Sequence, residues 1–206
     1  MTTLSAPTEP ARSEIDLQGE GMPVEAFLQL DERAELINGK VKRKLAHLFE
    51  RDELLHLLFF MLSDYVRARK LGEVYMQLTF VLPDQEREDW VKGSRIPDLA
   101  FYAGTRMADY KTRTPNYGKK PRALVPDFVI EIISPNDTLS DVDEKVDAYL
   151  SDGVRLIWLI DPQRRKITIY APDEESPTVL KGDAVLSAGD IVPDFELSLS
   201  KLFAEI

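Results

Sequence analysis

Glu131 stands inside Phe128-Val129-Ile130-Glu131-Ile132-Ile133, a run that is otherwise apolar and rich in β-branched side chains. Such a run reads as a strand buried on both faces. A carboxylate there is costly unless a cation or strong donors satisfy it, and a metal ion is a leading candidate for that role. Asp98 is a second acid in an apolar setting, following Pro97 and opening Leu99-Ala100-Phe101-Tyr102. If the two strands are neighbours, the carboxylates of Asp98 and Glu131 converge on one divalent cation. No glycine adjoins either acid, so such a site is built from side chains and not from a phosphate-cradling loop. Taken alone, each acid is more often structural.

Lys145 adds a third element. A helix over about 139–151 has Val142, Val146, Tyr149 and Leu150 as its apolar stripe. At about 100° per residue, Lys145 falls on the flank of that stripe beside Tyr149. Its stem can lie along the sheet and bring the ammonium toward the strand of Glu131. Alone, it reads instead as a snorkelling lysine paired with Asp141 one turn earlier; a buried Glu nearby shifts the balance.

Composition narrows the chemistry. With no cysteine, disulfides, thiolate metal sites and thiol nucleophiles are excluded, and the two histidines, His47 and His56, do not make a multi-histidine zinc centre. A metal held mainly by oxygen points to magnesium or manganese. The net charge of −10 argues mildly against a nucleic-acid partner. Two local clusters run the other way: Lys40, Lys42, Arg43 and Lys44, and then Lys111, Arg113, Lys119, Lys120 and Arg122 interleaved with Tyr110 and Tyr117. Either cluster also reads as a solvated loop.

The elements that must position these residues follow from pattern. Met22 to Leu30 predicts a short helix with Pro23 in its first turn. Asn38-Gly39 predicts a hairpin turn between Glu35-Leu36-Ile37 and Lys40 to Arg43. Leu54, Leu55, Leu58, Phe59, Leu62 and Val66 recur at the helical period from about Arg51 to Lys70, with Gly72 closing the helix. Val74 to Leu82 and Ile96 to Tyr102 read as strands around a polar segment, Pro83 to Ser94. Gly104 to Pro126 is long for a plain loop and is expected to hold a short helix, a lid or a partner-binding arm. The strand of Glu131, the helix of Lys145 and a strand over Arg155–Ile160 make a parallel β-α-β unit. Lys166–Tyr170 gives a further strand, and the tail from Ile191 ends in a short amphipathic helix. Residues 1–20 read as a polar, disordered tail and 21–206 as one domain. Without an apolar leader or a long apolar run, a cytoplasmic protein with no membrane span is expected.

Five segments in order resemble the Uma2 family, restriction-endonuclease-like proteins of the PD-(D/E)XK nuclease fold. They are Glu35-Leu36-Ile37-Asn38-Gly39-Lys40-Val41, Pro97-Asp98-Leu99-Ala100-Phe101, Pro126 to Pro135, Glu144-Lys145-Val146-Asp147-Ala148-Tyr149 and Trp158-Leu159-Ile160-Asp161-Pro162. The resemblance covers about residues 22 to 203. It implies an α/β fold, a mixed β-sheet core flanked by helices, and an endonuclease that hydrolyses DNA with Mg²⁺ or Mn²⁺. It also implies that Asp98 and Glu131 bind the metal with the carbonyl of Ile132, that Lys145 orients or helps activate the water and stabilises negative charge, and that Glu35 completes the site. A homo-oligomer, as a dimer, is expected so that both strands of a duplex are addressed. The alternative is a catalytically inactive oligomer serving as an interaction module. Two features depart from the pattern. Ile133 stands where the superfamily has lysine, that role falling to Lys145, and Lys42 to Asp52 is basic where the family has a Ser-Pro-rich segment ending in histidine. Arg51 lies near that histidine's place.

Overall fold

The computed structural model of the chain describes residues 15–16, 21–30, 34–43, 49–135 and 137–205. Of the expected disordered tail only Ile15–Asp16 is described, as strand β1; the remainder, His47, Lys44 and much of the basic connection after Val41 lie outside the described residues. Where a helix was predicted over Met22 to Leu30, Met22–Pro23 instead forms β2, and only Val24–Phe27 is helical (α1).

Asn38-Gly39 turns the chain between β3 (Ala34–Ile37) and β4 (Lys40–Arg43), with φ of 48° and 74° at the two positions, as a tight antiparallel hairpin requires. The long helix α2 spans Phe49–Arg69. Its end differs from the sequence reading. Lys70, with φ 56°, takes the left-handed position, and the Leu71 N–H reaches back to the Val66 carbonyl. Gly72 is needed for a different reason: a Cβ there would lie 2.1 Å from the Tyr102 carbonyl oxygen.

The predicted strand Val74 to Leu82 is two strands, β5 (Gly72–Met76) and β6 (Phe80–Pro83), in different sheets. The polar segment Pro83 to Ser94 contains most of β7 (Trp90–Arg95), followed by β8 (Leu99–Ala103). Gly104 to Pro126 holds α3 (Arg106–Arg113) and a 3-10 turn at Tyr117–Lys119. Met107 of α3 is buried against Ala100 and Tyr102, so this segment packs on the chain's own sheet. Then come β9 (Phe128–Ile132), α4 (Leu139–Asp152), β10 (Leu156–Asp161) and β11 (Lys166–Tyr170). The chain closes with β12 (Thr178–Lys181), β13 (Val185–Ser187), β14 (Glu196–Ser198) and α5 (Leu199–Leu202).

The central sheet runs β12-β11-β10-β9-β8-β5. Only β9 and β10 pair in parallel, through the α4 crossover, so the sheet is mixed. Phe128, Ile130 and Ile132 of β9 pack with Leu54, Leu58 and Leu62 of α2 in the larger core. Val129 alternates to the opposite face, among Val146, Tyr149, Ile157 and Leu159. Glu131 shares that second face. A smaller sheet, with as many strands but mostly shorter ones, runs β1-β4-β3-β7-β2 with β6 on β7 and carries the hairpin. Lys42 of β4 bonds Glu144 at 2.5 Å and Asp141 at 3.4 Å, and Asn38 bonds Glu144 at 3.2 Å. These contacts tie the hairpin to α4, and with it Glu35 to Lys145.

Candidate functional site

The strand β9 buries Glu131 because its neighbours are apolar on both faces, and α4 supplies the compensation. Lys145 Nζ lies 2.8 Å from Glu131 Oε2, and the Tyr149 hydroxyl donates to Glu131 Oε1 at 2.5 Å. Lys145 and Tyr149 are one turn apart on α4, so both reach the same carboxylate. Thr138 caps that helix by accepting from the Asp141 N–H, and Gly153, with φ 95°, ends it.

Glu35 comes from the smaller sheet. Its side chain is buried, Oε1 accepts from the Ile96 N–H at 2.6 Å, and Oε2 lies 3.9 Å from Lys145 Nζ. The ammonium therefore stands between two carboxylates from different sheets.

Asp98 is fully buried just before β8. The register pairs Leu99 with Ile130, so Asp98 and Glu131 are the next opposed residues and share a sheet face. Asp98 Oδ2 accepts from the Ile132 N–H at 2.8 Å. The same oxygen pairs with the Arg51 guanidinium, whose Nε donates to the Ile132 carbonyl at 3.1 Å. Arg51 thus engages two of the three groups expected to ligate a metal.

The electrostatics follow from this crowding. Burial alone would lower the Lys145 pKa, but the charges of Glu131, Glu35 and Asp98 outweigh it and hold the ammonium above the ordinary lysine value. Burial and then the Glu131 charge push the Tyr149 hydroxyl well above the usual tyrosine value. Lys145 is a persistent cation and Tyr149 a persistent donor.

Three carboxylates and a carbonyl are the hard oxygen donors that magnesium or manganese takes, and they already hold positive charge in the form of Arg51 and Lys145. The donor set fits a divalent cation in kind. Among the described residues, no group of three or more acids or histidines is spaced to grip an ion.

Two participants carried no catalytic role in the sequence reading. Tyr149 was visible only as part of an apolar stripe. Arg51 was visible only as a departure from a family pattern. Helical spacing from Lys145 was the available signal for Tyr149; nothing local pointed Arg51 at Asp98. In the second basic cluster, Arg122 donates to the Thr79 carbonyl and Lys111 lies 3.7 Å from Glu73, whereas Lys119 and Lys120 are exposed.

A family model for Uma2, described as "Putative restriction endonuclease", matches residues 24–200. No curated protein matches. A solved structure, of a "putative nuclease belonging to DUF820" from Anabaena variabilis, superposes with a TM-score of 0.73 at 22% identity, covering 89% of this chain and 98% of that chain. That likeness shows the fold, a restriction-endonuclease-like mixed sheet flanked by helices. A DrdV–DNA complex aligns over 75% of this chain and 90% of that chain at 14% identity, with a TM-score of 0.32, too low to argue from. No helix among the described residues is long and apolar enough to cross a membrane.

Proposed function

Since the chain belongs to the Uma2 family, we propose that it is a divalent-metal-dependent endonuclease that hydrolyses DNA phosphodiester bonds, with Glu35, Asp98, Glu131 and Lys145 as its working residues. The observation that carries this reading is the meeting of Glu35, Glu131 and Lys145, from two sheets and a helix, beside buried Asp98. Packing alone does not account for it. Like charges gathered out of water cost stability, and such arrangements cluster where chemistry needs them.

Proteins of the restriction-endonuclease-like class generally use divalent metals. Asp98, Glu131 and the Ile132 carbonyl are the groups that would hold Mg²⁺ or Mn²⁺, which when bound supplies Lewis-acid stabilisation of phosphoryl oxygens and a more acidic water. The remaining roles belong to the chain. Lys145 keeps its proton at neutral pH, so it acts as a fixed positive charge toward developing negative charge and not as the base. Tyr149 holds Oε1 of Glu131, which leaves Oε2 turned toward Lys145. The Ile96 N–H fixes Glu35, which steadies the ammonium from its other side. Lys119 and Lys120 offer the exposed positive charge that a phosphate backbone needs.

The test is cleavage of supercoiled plasmid DNA. Magnesium-dependent nicking by the full chain, absent with EDTA and lost in Glu131→Gln, is expected. Absence of nicking with either Mg²⁺ or Mn²⁺ counts against the reading. It would favour the second one, a non-catalytic oligomer acting as an interaction module. What supports that second reading is the engagement of both Asp98 and Ile132 by Arg51.

A further inference from the structure

Arg51 sits in the first turn of α2, only 5% exposed. A cation there opposes the positive end of the helix dipole, so the helix itself does not favour the placement. What holds it is the far side of the site. Nη2 pairs with Asp98 Oδ2, and Nε donates to the Ile132 carbonyl at 3.1 Å. The seat is imperfect for a guanidinium, because its Nη1 is buried with no hydrogen-bond partner among the described residues. A buried donor left unmatched is a standing cost.

We propose that Arg51 is a built-in competitor for the divalent cation: guanidinium and metal ion take turns on Asp98 and the Ile132 carbonyl. This rests on the metal reading above. An ion bonded to those oxygens at about 2.0–2.6 Å leaves no room for nitrogen donors on the same lone pairs. Two positive charges within a few ångströms of each other in a buried place also repel strongly. Metal entry therefore requires the Arg51 side chain to swing away, and its departure relieves the unmatched Nη1. Lys145 does not compete in the same way, since it spans Glu131 and Glu35 on the other side and keeps partial access to solvent.

Isothermal titration of MnCl₂ into the full chain, beside Arg51→Ala, reads the competition directly. The variant is expected to bind one Mn²⁺ at least about tenfold tighter than the parent, the scale on which groups around a metal site alter affinity. Equal or weaker binding by Arg51→Ala, with saturable binding in the parent, overturns the proposal and leaves the metal reading standing. No saturable binding by either protein overturns both. Arg51→Ala deprives buried Asp98 of its guanidinium, so the variant's fold is checked by thermal melting with and without Mn²⁺; a larger Mn²⁺-induced rise in melting temperature than the parent shows is the expected result. If the variant does not fold even with Mn²⁺, NMR of the parent decides. The Arg51 Nε–H signal is expected to shift with added Mg²⁺ at the same midpoint as the Ile132 amide. An Arg51 signal unmoved while the Ile132 amide saturates overturns the exchange.

Discussion

Lys145 Nζ lies 2.8 Å from Oε2 of Glu131, so the helix that follows β9 returns an ammonium to the one acid in that strand. The crossover that makes β9 and β10 parallel neighbours is also what brings the ammonium over the acid. The same ammonium reaches Glu35, which joins the two sheets electrostatically at this point.

Removing that ammonium should cost stability. Lys145→Met removes the ammonium that stands between the buried carboxylates of Glu131 and Glu35. Breaking a fully buried pair costs about 3–5 kcal/mol, and the partial exposure of Lys145 brings the expectation to roughly 2–3 kcal/mol. Lys145→Met with Glu131→Gln should recover part of that loss in a double-mutant cycle followed by urea unfolding. Strictly additive losses would show that the two groups are not coupled. The sign with pH follows from the raised Lys145 pKa. Its contribution is fully present below about pH 10.5, the unfolded value, and is lost only as pH rises through the higher folded value.

Tyr149→Phe keeps the ring that packs beside Val129 and Ile157 but deletes the donor to Glu131 Oε1. A hydrogen bond to a charged group contributes roughly 1.5–3 kcal/mol, and a loss of that size is expected in chemical denaturation. An unchanged midpoint would mean that the hydroxyl does not restrain the carboxylate.

Much of this arrangement is legible in the chain. The apolar run of β9, the Asn38-Gly39 turn and the helical phase of Lys145 each follow from one strong local rule. The misplaced elements have two physical origins. β7 was hidden because Ser94 and Arg95 are buried polar residues: Ser94 Oγ accepts from the Leu36 N–H, and Arg95 donates to the Leu36 carbonyl. Hydropathy cannot flag a strand whose buried end is polar and satisfied by a distant segment. β5 and β6 were fused because Gln77 turns the chain at φ 47° without a glycine or proline to mark it. Arg51 was obscure for the first of these reasons, since its partners lie far away in sequence.

Asp152 and Arg95 pair at 3.1 Å with both side chains nearly buried. Burial outweighs the attraction of the guanidinium and lifts the Asp152 carboxyl to about 6. For an acid with a raised folded value, the linked stability is present below the unfolded value, about pH 4, and is lost as pH rises through 6. Stability of the parent should therefore fall across pH 4 to 6 relative to Asp152→Asn, whose curve lacks this step. Carboxyl carbon NMR should place the Asp152 midpoint near 6; a midpoint near the ordinary aspartate value contradicts the assignment.

The clamp between the hairpin and α4 is a matter of position more than of stability. Hydrogen bonds from Thr138 to Asp141 and from Lys42 to Glu144, with Lys42 also reaching Asp141, hold both carboxyls below their usual range. Lys42→Ala is expected to cost under about 1 kcal/mol, as partly exposed pairs do. Hydrogen exchange of the amides of β3 and β4 should nevertheless speed up, because the hairpin loses one of its tethers to the helix of Lys145. Unchanged exchange there would mean that the smaller sheet alone positions Glu35.

The proposed nuclease chemistry depends on the carboxylates acting as a divalent-cation site, and anomalous scattering from crystals soaked in Mn²⁺ tests that most directly. The expected result is a manganese peak bonded to Asp98, Glu131 and the Ile132 carbonyl at about 2.0–2.6 Å, with the Arg51 guanidinium displaced. A map at saturating Mn²⁺ with no peak among these groups, and with Arg51 still on Asp98 and Ile132, would contradict it.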